Sequence, residues 1–110
     1  MNFIATLTNS GTQVNKVVNA NSWSSCLAYC EGTGFDINFI SQISSNVTVV
    51  LNDASSQNCY NVTLKSDSAS IGFNYFVFDT DFNSLETWLA EQTDTIVVGV
   101  QLTQKSYVTV

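Results

Sequence analysis

An internal repeat constrains this chain more tightly than any other feature, because a repeat dictates architecture before any residue is read for chemistry. Sliding the sequence on itself by 59 residues aligns 1–51 with 60–110 without a gap. Identities are few, among them Asn2/Asn61, Asn15/Asn74, Val18/Val77, Ile37/Ile96 and Val49/Val108. The hydrophobic pattern is the stronger sign. Phe3, Ala5 and Leu7 alternate in the first half, and Val62 and Leu64 fall at matching places in the second. Val14 and Val18 match Phe73 and Val77, while Ile37, Phe39 and Ile43 match Ile96, Val98 and Leu102. Val49 and Leu51 match Val108 and Val110. In a chain that is 45% hydrophobic, two apolar residues meet by chance at about one position in five, and these core-like positions agree far more often.

Between the strand-like stretches the period changes from two to that of a helix. Trp23, Cys26, Tyr29 and Cys30 share one helical face, as do Phe82, Leu85, Trp88 and Leu89. Each unit therefore reads strand, turn, strand, helix, strand, turn, strand. The first unit, 1–51, has strands near 2–8, 13–19, 36–43 and 47–52 and a helix at 22–31. The second, 59–110, has strands near 59–65, 73–78, 95–102 and 106–110 and a helix at 82–92. Ser10-Gly11, Ser44-Ser45-Asn46 and Thr103-Gln104-Lys105 mark turns, the last closing a hairpin. Asn21 or Ser22 and Asp81 are the N-caps, Gly32 or Gly34 ends the first helix, and the polar segment 52–58 reads as a linker. The predicted class is α+β: a tandem pseudo-twofold repeat of a ββαββ unit, its antiparallel or mixed sheets each packed by one helix. A half of about 51 residues is marginal alone, so one domain with a shared core is expected over 1–110.

The halves differ where the strand Phe73–Phe78 turns Phe76 and Phe78 to the face on which the first half carries Val17 and Asn19. That face either packs against the other half, the default at this chain length, or docks a partner. Ile4 and Ile40 are read on outer faces among polar neighbours, and Tyr107 lies on the uncharged C-terminal strand Ser106–Val110. That strand and Asn2–Leu7 lack the proline or lysine that commonly protects a sheet edge. Phe76, Phe78, Ile4, Ile40 and Tyr107 are the candidate interface residues.

Composition removes much chemistry. The chain has no histidine, arginine or proline, three lysines and a net charge of −6. Histidine-based triads and imidazole metal sites are excluded, and direct nucleic-acid binding is not expected without arginine forks or a basic surface. Cys26, Cys30 and Cys59 lack a fourth ligand and read as small apolar fillers. Asp79-Thr80-Asp81-Phe82-Asn83 resembles the start of a calcium loop but lacks the glycine and glutamate such a loop needs. Asp79 and Asp81 are better explained by the helix they precede. The nine acids show no paired arrangement suited to glycoside hydrolysis, and no cofactor is implied. No stretch is long and apolar enough to span a membrane, and nothing after Met1 reads as a secretory signal.

Asn, Ser, Thr and Gln supply 44 of 110 residues, a neutral polar surface suited to many repeated protein contacts. The expectation is a non-enzymatic structural or assembly protein. The specific reading is a small phage virion component, a capsid decoration or auxiliary protein. It would be made in the cytoplasm without a signal peptide, reside in the virion, and contact copies of itself or other virion proteins. The alternative is a small phage-encoded binding module, an inhibitor or ligand sponge, using a cleft between its halves where Trp23, Trp88, Phe76 or Phe78 could stack a ligand.

Overall fold

Ser10 and Gly11 both adopt positive φ, +51° and +83°, so the chain reverses in a two-residue turn between Asn9 and Thr12. Such turns match the twist of the strands they join, and the glycine takes the left-handed position at no steric cost. The hairpin so formed is β1 (Asn2–Asn9) and β2 (Thr12–Asn19). The remaining elements of the computed structural model, which describes residues 1–66 and 71–110, are α1 (Trp23–Gly32), β3 (Asp36–Gln42), β4 (Val47–Leu51), β5 (Asn58–Ser66), β6 (Phe73–Phe78), α2 (Phe82–Glu91), β7 (Thr95–Gln104) and β8 (Ser106–Thr109). Asp67, one of the nine acids, lies outside the described residues.

Both helices start at predicted caps. The Ser22 hydroxyl accepts from the Ser25 N–H at 3.1 Å, and the Asp81 carboxylate accepts from the Ser84 N–H at 2.9 Å. Cys26 and Cys30 of α1 are buried, as are Leu85 and Trp88 of α2. Trp23 and Phe82, predicted on the same buried stripes, are half exposed. Each is the first helical residue, and a helical side chain leans toward the preceding turn, which here does not exist.

The protein is α+β with two four-stranded sheets, each packed by one helix, in two similar halves. The strand orders are β3-β1-β2-β8 and β4-β6-β5-β7. The fourth strand of each repeat therefore belongs to the other repeat's sheet. β8 runs parallel to β2, and β4 runs parallel to β6. The predicted hairpin at Thr103-Gln104-Lys105 does not form, since β8 leaves β7 for the first sheet. The compact units are Met1–Ser44 with Lys105–Val110, and Ser45–Gln104. They differ from the sequence units 1–51 and 59–110 by this exchange. Segment 52–58 is not a linker between units. Within the second unit, the Asp53 N–H donates to the Phe78 carbonyl at 2.9 Å and the Asn58 side-chain amide to the Thr80 carbonyl at 2.9 Å.

The halves match at varying spacing. Phe3 stands opposite Val18, whereas Tyr60, and not Val62, stands opposite Val77. β1 and β5 thus correspond through Phe3/Tyr60, Ala5/Val62 and Leu7/Leu64, all buried. One edge strand of each sheet carries a bulge, β3 against β1 and β7 against β5, leaving Asn38 and Val98 unpaired in those ladders. The bulge reverses the alternation beyond it. Ile37 and Ile40 consequently both face α1, and Phe39 turns to the other face, where it is exposed.

Each helix covers one core. Phe3, Ala5, Leu7, Val18, Ala20, Cys26 and Cys30 form the first, with Val108 of β8 packed against them. Tyr60, Val62, Leu64, Val77, Leu85 and Trp88 form the second, with Val50 of β4 packed against them. The exchanged strands seal the cores they join.

Candidate protein interaction surface

The five sequence candidates separate in the structure. Phe78 is fully buried by the chain's own atoms, at 0% exposure, so it has no surface to offer a partner. Ile40, read as outward, packs on the first core because the bulge at Asn38 turns it toward α1. Ile4 and Tyr107 both neighbour Val17 on the sheet face away from α1, and both are half-buried. Phe76 is half-buried beside Asn61 and Val49 on the face away from α2. No continuous exposed patch is built from this set.

Of the other aromatic side chains suggested for ligand stacking, Trp23 is half exposed, Phe76 half-buried and Phe78 buried. Trp88 is 9% exposed and meets Tyr75 edge-on, with ring centres 5.3 Å apart. It borders a cleft of about 280 Å³ in the second unit, lined also by Asn52, Asp79, Thr80, Ser84, Thr87 and Glu91. No local pattern signals that Asp79 and Glu91 share a cleft, because one follows β6 and the other ends α2. The buried Asp79 is held rather than free. Its carboxylate accepts from the Thr80 N–H at 2.8 Å and from the Asn52 amide at 3.1 Å. Its carbonyl accepts from the Ser56 hydroxyl at 2.7 Å. Asp79 ties segment 52–58 to the end of β6, while capping falls to Asp81 alone. Asp53 has a similar structural part. The Ser55 hydroxyl and N–H and the Thr80 hydroxyl hold its carboxyl below the usual carboxylate range.

Among the described residues, no three His, Cys, Asp or Glu side chains are placed to hold a metal ion. All three cysteines are buried thiols. Burial pushes the Cys26 thiol up to about 11 and raises Cys30 as well, so both stay protonated near neutral pH. They fill the first core.

What the fold does expose is β7. Ile96, Val97, Val98 and Leu102 are all exposed, with Val98 at 58%. These residues occupy both faces of a strand at the edge of its sheet. A continuous apolar run such as Ile96-Val97-Val98 is usual in a strand buried on both faces. Here it has the same composition for another reason: as an edge strand it presents both faces outward. Ten residues long, β7 lacks the charged side chains and proline that commonly protect natural edge strands, although it carries a bulge at Val98. No protein-family model, curated protein or solved structure matches this chain.

Proposed function

We propose that this chain is a non-enzymatic assembly protein that works through protein–protein contacts, as a small phage virion component of the decoration or auxiliary kind. The observation that carries the reading is the exposed, uncharged edge strand β7 with its apolar side chains. An edge of this kind pairs with another chain at little electrostatic cost, because there is no charge to desolvate. The neutral polar composition supports the narrower virion reading, since a subunit present in many copies repeats its contacts many times. The lack of histidine and arginine, together with an Asp79 carboxylate already held by Asn52 and Thr80, supports a non-catalytic role.

Sedimentation velocity tests this directly. The purified chain is expected to sediment as a species larger than its 12.0 kDa monomer, with a population that rises from micromolar to submillimolar concentration. A sharp monomer over that whole range contradicts the assembly reading.

A further inference from the structure

The cleft beside α2 is built from positions at which the two repeats part company. The helices keep the 59-residue offset, since α1 begins at Trp23 and α2 at Phe82. At that offset Ala20, Ala28 and Gly32 of the first half correspond to Asp79, Thr87 and Glu91 of the second. The first half thus folds without these polar groups. Asp79 is a carboxylate at 3% exposure where the other half buries an alanine, and burying a charge costs stability. Holding segment 52–58 accounts for Asp79 but not for Glu91.

The cleft lies at the carboxyl ends of β4 and β6, which run parallel and lead directly into Asn52 and Asp79. Parallel strands commonly present ligands at that end. Glu91 lines the cleft from the last residue of α2, where the helix dipole is negative and no basic side chain offsets it. Several donors along the wall are spent within the protein. The Thr87 hydroxyl donates to the Asn83 carbonyl at 3.3 Å, and the Thr80 hydroxyl to the Asp53 carboxylate at 3.1 Å. The Asn52 amide donates to Asp79 at 3.1 Å. What is left over is chiefly acceptor capacity, in the Glu91 carboxylate and the remaining lone pairs of Asp79. No lysine lines the cleft.

We propose that this cleft binds a small organic ammonium compound, best a short diammonium whose two charges match its two carboxylates. An ammonium group brings three donors and no acceptor, the complement of what the wall leaves over. An anion is repelled, and a sugar needs donors as well as acceptors. A metal ion is served less well, because among the described residues no three metal-ligating side chains converge. The volume of about 280 Å³ suits a molecule of a few heavy atoms rather than a large ligand. Trp88, which borders the same space, offers its indole to the cation and to the alkyl stem. The site lies wholly within the second unit, so it does not depend on assembly.

Titration of the full chain with 1,4-diaminobutane, followed by amide and indole chemical shifts, tests the site. Saturable shifts are expected at Thr80, Ser84, Thr87 and the Trp88 indole, and they weaken as salt is added. The neutral isostere 1,4-butanediol is expected to leave these signals in place. Glu91→Gln, an exposed change, is expected to weaken binding about threefold to fivefold with an unchanged circular dichroism spectrum. Asp79→Asn is expected to abolish it, and its folding is checked in the same way. Three results overturn the proposal: no saturable shift, equal shifts from the diol, or unchanged affinity in Glu91→Gln. Tighter binding of calcium or magnesium ions at the same amides also overturns it, in favour of a metal site.

Discussion

Replacing Phe78 with alanine is expected to cost about 3–5 kcal/mol of folding stability, read as a lowered urea midpoint. The ring has no solvent exposure, and β6 is an inner strand, with Leu51 and Cys59 as its register neighbours. Truncation removes apolar contact and leaves a cavity that a sheet interior closes poorly. The loss is a large share of the roughly 5–15 kcal/mol that holds a typical domain folded. Phe78→Asp, which buries a charge without a partner, is expected to leave the chain unfolded. If Phe78 were instead a docking residue, alanine would weaken association and leave the urea midpoint almost unchanged.

Val108→Asp is expected to have an effect of similar class, and its location is the informative part. Val108 packs against the core of Phe3, Ala5, Leu7 and Val18, and its neighbour across the ladder is Val18. A carboxylate there is expected to destabilise the unit containing residues 1–44 by about 2 kcal/mol or more. Hydrogen exchange is then expected to accelerate in β1 and β2, while β5 and β6 keep their protection. Val50→Asp is the mirror experiment. It sits against Tyr60, Val62, Val77, Leu85 and Trp88, so exchange should rise in β5 and β6 although Val50 belongs to the first repeat by sequence. If Val108→Asp instead released β5–β7, the strand exchange would be wrong.

Features set by local chemistry were legible in the sequence. The Ser10-Gly11 turn, the Ser22 and Asp81 caps and the buried stripe of each helix all depend on residues a few positions apart. The strand exchange was not legible. β4 and β8 are short strands rich in β-branched residues, and nothing in Val47-Thr48-Val49-Val50 or Ser106-Tyr107-Val108-Thr109 distinguishes a neighbour in its own repeat from one in the other. The bulges at Asn38 and Val98 were equally silent, because an unpaired residue has no composition of its own. Each one reverses the faces beyond it, which is why Ile40 is turned inward and Phe39 outward. The exposed strand proposed as the interaction surface was missed for a related reason. Ile96-Val97-Val98 is a continuous apolar run, yet only the departure of β8 leaves it at an edge of its sheet.

Fold and function therefore meet at one question, which strand lies beside β8. Nuclear Overhauser contacts between backbone protons answer it directly. The exchanged fold predicts parallel-ladder contacts from Tyr107 and Val108 to Val17 and Val18, with the mirror set from Val49 and Val50 to Phe76 and Val77. Antiparallel contacts between β8 and β7 across Lys105 would contradict it. They would show a hairpin that covers the edge on which the proposed assembly depends.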